Sequence, residues 1–295
     1  MSKHLVVLIV AVVTAGMFSA LPRAQDEKWN NIPPGPAAYT GKKPNGTAPR
    51  RDLTGIWDTV QTLGVTGAIE HPALLPGGRG QEGGREDETG IEKPLPYTAA
   101  GLAALKKNKT ASGVRQVDSV LSDDPAGKCD PLGFPYMFTW EFRTINVVQT
   151  PRQVIILSPF YGNYRVIWTD GRKPPSDPDP RYNGYSVGRW VDDYTFMVET
   201  TGMLAKTWLD HAGRPHSDQL KVEETYHRVA GDTIEFTMKF TDPVMYTEPW
   251  IAVNKLPLHL LPPDFDIPEL LCSPSEFAEY NKLVATPVLR DSSKK

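Results

Sequence analysis

The sequence predicts a mainly β fold, an antiparallel meander that closes into a barrel or a strongly curved sheet, with a short peripheral helix and a C-terminal helix. Three observations predict it. From Thr144 onward apolar and polar residues alternate with period two in one short segment after another, the pattern of strands with one buried face. The segments are joined mostly by tight turns, whereas parallel units need a long crossover, usually a helix, between strands. Glycine and proline, 24 and 28 of 295 residues, make up roughly 18% of the chain against a usual 12%, which marks many turns yet stays short of low-complexity disorder.

The elements follow in order. A first strand spans Thr54 to Thr62, after an extended arm that carries five prolines between Asp26 and Arg51. Gly77 to Gly90 is glycine-rich and charged with no apolar residue; no Gly-Lys-Ser/Thr follows it, so it is a loop and not a phosphate cradle. Thr98 suits the N-cap of a short helix through Leu102 and Leu105 to about Asn108. Strands then run over Thr144 to Thr150, Val154 to Phe160, Arg165 to Thr169, Tyr185 to Trp190 and Tyr194 to Thr201. The clearest hairpin pairs Leu220 to Tyr226 with Ile234 to Phe240 across Ala230-Gly231-Asp232. Ser273-Pro274-Ser275-Glu276 is a capping box with proline at the first helical position, opening a helix to about Val284.

Residues 1–24 read as a signal peptide: Lys3 and His4, an apolar run from Leu5 to Val13, then small residues with cleavage after Ala20 or Ala24. The expected division is therefore 1–24 signal peptide, 25–52 proline-rich arm, 53–290 a single domain and 291–295 a charged tail. This places the mature chain in the periplasm or outside the cell, with no stable membrane insertion once the leader is removed. With 32 basic and 35 acidic residues the chain lacks the positive field that nucleic-acid binding needs. Cys129 and Cys272 are the two cysteines; in an oxidising compartment they are expected to form a disulfide, with two separate buried thiols as the alternative.

Two resemblances add to this reading. Gly55-Ile56-Trp57 at the start of the first strand resembles the G-x-W pattern of lipocalin-like barrels, which implies a tryptophan packed across the closed end. Cys129-Asp130-Pro131-Leu132-Gly133-Phe134-Pro135, Trp168-Thr169-Asp170-Gly171-Arg172, Ser186-Val187-Gly188-Arg189-Trp190, Thr207-Trp208-Leu209-Asp210 and Tyr246-Thr247-Glu248-Pro249-Trp250 are similar to blocks of a large family of uncharacterised secreted bacterial proteins. That likeness implies export and a bacterial source, and it carries no reaction.

The chemistry-bearing residues concentrate in two places. Gly202 to Gln219 holds Asp210, His211, His216, Ser217 and Asp218. Here His216 is the candidate acid or base, oriented by Asp210 or Asp218. His211 and His216 with Glu223 form an alternative metal set, although the spacing matches no zinc motif. Adjacent residues on an extended chain point opposite ways, so Ser217 beside His216 is not a triad, which argues against a serine hydrolase. The second place is the aromatic cluster between Trp140 and Trp190. There Tyr164, Arg165, Trp168, Arg189 and Trp190 are expected to bind a ligand in a barrel cavity.

No cofactor is expected. The leading functional expectation is an exported protein that binds a small apolar or amphipathic molecule. The alternatives are an extracytoplasmic lyase, isomerase or hydrolase built on His216, and an assembly component that uses the proline-rich arm.

Overall fold

The computed structural model describes residues 45–59, 95–111, 117–139, 144–159, 162–267, 269 and 271–287. The signal peptide, most of the arm, the glycine loop and the charged tail lie outside these residues.

Nine strands close into a barrel in chain order: β1 Gly55–Thr59, β2 Ile145–Gln149, β3 Gln153–Ser158, β4 Asn163–Trp168, β5 Tyr185–Trp190, β6 Thr195–Thr201, β7 Lys221–Ala230, β8 Thr233–Thr241 and β9 Trp250–Leu260. β9 pairs with both β8 and β1, with Trp57 opposite Leu260 and Thr59 opposite Leu258. The expected strands of the meander are present, and the barrel is closed.

The fold departs from the expected meander at one seam. Every neighbouring pair is antiparallel except β4 and β5, which run parallel over Ile167–Ser186 and Trp168–Val187. Parity demands such a pair, because a closed ring of antiparallel neighbours needs an even number of strands and this ring has nine. The crossover is the Pro/Asp-rich stretch 169–184, long enough to return the chain without a helix. Its last part is tied down by Arg181 N–H to Gly202 O (2.9 Å) and by Phe134 N–H to Tyr182 O (2.9 Å).

β9 is the strand that alternation does not reveal. Its pairing with β8 shifts register around Met238, and Lys255 sits at φ 54°. Val253 and Ala252 are consequently both buried, while Pro257 interrupts the run of donors. A bulge breaks period two, and a proline reads as the end of a strand.

The barrel interior is filled by side chains. Phe196, Tyr226 and Phe236 stack across it with centroid separations of 6.5 Å and 4.9 Å. Phe138, from the short helix α2 (Tyr136–Thr139), meets Phe236 edge-on at 6.4 Å. Gly188 on β5 makes room for this layer: a Cβ there would lie 2.3 Å from Phe196 Cζ. Trp57 is fully buried, donates through Nε1 to Leu53 O (2.9 Å) and carries the Arg228 guanidinium 4.8 Å from its ring. Burying a tryptophan removes roughly 200 Å² from water and stabilises by about 5 kcal/mol as an upper figure.

Outside the barrel, α1 (Ala99–Lys107) starts at Thr98, whose Oγ1 accepts from Gly101 N–H at 3.0 Å. The C-terminal helix α3 (Pro274–Tyr280) is capped by Ser273 and continues as a wider turn over Asn281–Ala285. Cys129 and Cys272 form a disulfide across a sequence separation of 143 residues. On the chain-entropy model, closing so long a loop stabilises by ~5 kcal/mol. The described end of the arm is docked: Asn45 N–H reaches Asp232 Oδ1 (2.8 Å) and Arg51 N–H reaches Asp193 O (2.7 Å). Among the described residues no helix is long and apolar enough to cross a membrane.

Candidate functional site

The loop that the sequence marks as most reactive is a packed structural element. Residues 207–217 are all buried, and Trp208 pairs with Pro215 in a small bridge. Asp210 holds the loop together: Oδ2 accepts from Arg214 Nη1 at 2.6 Å and Oδ1 from the N–H groups of Ala212 (3.1 Å) and Arg214 (3.2 Å). Asp242 does the same from outside, accepting from Ser217 N–H (2.6 Å) and Ser217 Oγ–H (2.8 Å).

His216 is 2% exposed, with Nε2 2.8 Å from Thr207 Oγ1 and Nδ1 2.9 Å from its neighbour's carbonyl, Ser217 O. Burial pushes its pKa below the ordinary 6.5, outweighing the opposing effects of the Ser217 carbonyl and the Asp242 charge. A neutral imidazole fits both contacts when Nδ1–H donates to Ser217 O and the Thr207 hydroxyl, which also lies 3.0 Å from Leu204 O, turns its one proton to Nε2. The expected pairing with Asp210 or Asp218 is therefore not formed: Asp210 is committed to Arg214, and Asp218 is exposed. The alternative metal set is not assembled either. Glu223 faces outward on β7, 2.8 Å from Lys239 Nζ, and no group of three metal-ligating side chains occurs among the described residues.

A second buried polar cluster sits inside the barrel. Arg165 on β4 is 1% exposed and Glu224 on β7 is fully buried. They are joined through Nη1–Oε1 at 2.9 Å and Nη2–Oε2 at 2.5 Å. Arg165 also donates to Ser186 Oγ (3.0 Å) and Thr200 Oγ1 (2.6 Å), Tyr226 donates to Glu224 Oε1 (2.8 Å), and the Phe134 ring lies 3.7 Å from the guanidinium carbon. The expected ligand-binding Arg165 is thus neutralised within the core. Arg189 is exposed on the outer face of β5, and Trp190 packs at 5.2 Å on Phe196, so neither joins a common cavity with it.

The open space lies at the β4–β5 seam. Because these strands pair over only two positions at one end, Asn163 to Val166 have no β5 partner, and the crossover covers that edge instead. A cleft of about 480 Å³ results, with Tyr164, Trp168, Arg181, Tyr182, Asn183 and Tyr185 among its walls and Arg165 and Ser186 at its floor. Cations already cap three of its rings: Arg172 over Trp168 (3.6 Å), Arg181 over Tyr185 (4.1 Å) and Lys206 over Tyr182 (4.9 Å). Arg172 also grips Asp170 at 2.7 Å and 2.9 Å and holds that carboxyl down to about 2. Tyr164 differs: it is 63% exposed, its hydroxyl has no partner among the described residues, and its backbone carbonyl accepts from Asn183 Nδ2 at 3.0 Å.

The two amides at the seam are only partly satisfied. Asn183 Nδ2 donates to Asn163 Oδ1 at 2.8 Å, whereas Asn163 Nδ2 reaches Met137 Sδ and Asn183 Oδ1 at 3.5 Å each, a normal length to sulfur and a long one to oxygen. The long bond is the one a guest can replace, at Asn183 Oδ1. Among the described residues no carboxylate lines the cleft. The sequence placed Tyr164, Trp168, Tyr182 and Tyr185 in one aromatic cluster. It missed Asn163, Arg181 and Asn183, whose only signal was their position at the end of the long Pro/Asp-rich excursion. Comparison with protein-family models, with curated proteins and with solved structures finds no match to this chain.

Proposed function

We propose that this chain is an exported binding protein that holds a small amphipathic molecule in the seam cleft. A ring of the ligand stacks on Tyr164, its polar edge bonds the Asn163–Asn183 pair, and a negative or carbonyl group meets Arg181. The observation that carries this reading is an exposed, unpartnered tyrosine beside a half-satisfied amide pair in a cleft of about 480 Å³. Cavities of this size, with aromatic walls and a few convergent polar groups, are the usual form of a small-molecule site. Among the described residues, aromatic rings and the Arg165–Glu224 pair fill the barrel interior. The acid/base reading is disfavoured, since His216 lines neither this cleft nor the neighbouring cavity.

The test is a fluorescence titration with anilinonaphthalene sulfonate, an anionic aromatic probe, on folded protein whose near-ultraviolet circular dichroism is unchanged. One saturable site is expected. Tyr164→Ala should weaken it by about tenfold, equivalent to ~1.4 kcal/mol, whereas Tyr280→Ala on α3 should leave it as it is. Absence of saturable binding, or equal affinity in Tyr164→Ala, would overturn the reading.

A further inference from the structure

A second cavity of about 290 Å³ adjoins the cleft, and Asn163, Tyr164, Tyr182 and Asn183 line both. Building on the reading above, we infer that the two form one groove and that its ligand class is an anionic amphiphile. The acid head lies at Arg181, and an aliphatic chain runs past Tyr164 and Tyr182 to Leu132, Met137 and Leu271.

Charge assigns the head end. Arg165 and Arg181 are the cations lining the cleft. Arg165 is neutralised by Glu224 at 2.5 Å, whereas Arg181 is exposed, rests on the Tyr185 ring at 4.1 Å and has no carboxylate partner among the described residues. Among the described residues no carboxylate lines either cavity, and a guanidinium fork suits a carboxylate.

The far end has the opposite character. Among the described residues no charged side chain lines the second cavity, and its apolar part includes Leu132, Met137, Pro131, Leu271 and the disulfide of Cys129 and Cys272. Leu271 is the most exposed large apolar side chain of the described residues, at 72%. The disulfide holds it in place through the adjoining Cys272, opposite Gly162, where a Cβ would sit 3.7 Å from its methyl group. A chain laid along this wall covers apolar surface that the protein itself leaves in water.

The test is displacement of anilinonaphthalene sulfonate by hexanoate, octanoate and decanoate below their micellar range. Affinity should rise by about two- to fourfold for each methylene added. Arg181→Gln should weaken all three acids by about tenfold, with Arg181→Lys recovering part of the loss. Leu271→Ser should flatten the dependence on chain length, and Val229→Ser, on β7 away from the groove, should not. Equal binding of hexanoate and decanoate overturns the tail assignment. Decanol or decyltrimethylammonium binding as tightly as decanoate overturns the acid head. If the dye itself does not bind, the cleft reading fails; if it binds and only the chain-length series is flat, the amphiphile fails alone.

Discussion

The loop 202–219 and the seam formed by 163–168 with 181–186 are both rich in polar residues, yet they differ in what those residues have left to offer. In the loop, Asp210, Arg214, His216 and Ser217 are at most 6% exposed and bonded to one another or to Asp242. In the seam, Tyr164 is 63% exposed and the amide pair is closed on one side only. Burial with its charge paired makes a polar group structural, because removing one partner leaves the other with an uncompensated desolvation cost. Partial satisfaction beside open space is what a ligand can use. The contrast between these regions, and not the density of reactive residue types, locates the candidate site.

The largest effects should come from breaking the satisfied region. Glu224→Ala strands a buried guanidinium and should cost about 3–5 kcal/mol in urea unfolding, and Asp210→Ala, which strands Arg214, a similar amount. The double replacement Arg165→Met with Glu224→Leu should recover most of the loss, since well-packed apolar residues replace a buried pair at little cost. A double variant as unstable as Glu224→Ala would mean that the pair is not what the core depends on.

Acidification gives the next effect, and its sign can be worked out for two groups. His216 has a folded pKa lowered from 6.5; its stabilising contribution is complete above 6.5 and is lost as pH falls below it, by up to about 1.4 kcal/mol per pH unit. Asp124 runs the other way. Burial, which outweighs its bonds to Ala126 N–H and Tyr136, raises it from 3.8 to about 6. The folded chain therefore holds a proton between those values that the unfolded chain does not, and stability rises as pH falls from about 6 to 3.8. The two oppose each other, so the profile of the parent protein should be shallow there. Asp124→Asn should unmask a loss of stability on acidification and His216→Asn a gain; the same slope in both variants would refute these assignments.

The smallest stability effect belongs to the seam. Tyr164→Ala removes an exposed ring and should change unfolding free energy by no more than about 0.5 kcal/mol, even though it weakens probe binding. A loss above 2 kcal/mol would show that Tyr164 supports the fold and would erase the contrast.

How much of this was legible in the sequence depended on whether the information is local. β2 to β8 could be read because Val154, Ile156 and their counterparts alternate without interruption, and the capping of α1 and α3 is written in Thr98 and Ser273. β9 was hidden by a bulge at Lys255 and by Pro257, and without β9 the closure of the barrel has no local mark. The parallel β4–β5 pair follows from a strand count that period two cannot supply. The site suffered from the same limit. Tyr164 and Trp168 share the outer face of one strand and could be grouped, whereas Asn163 meets Asn183 only because the crossover returns beside β4. The burial of His216 had no local mark, because a histidine among carboxylates reads the same whether its partners are internal or a substrate.

Amide hydrogen exchange of the full chain, with and without saturating anilinonaphthalene sulfonate, tests the central claim most directly. The account predicts added protection at 162–168 and 181–186, with no change over 207–218. Protection confined to 207–218, with the seam unaffected, would contradict it.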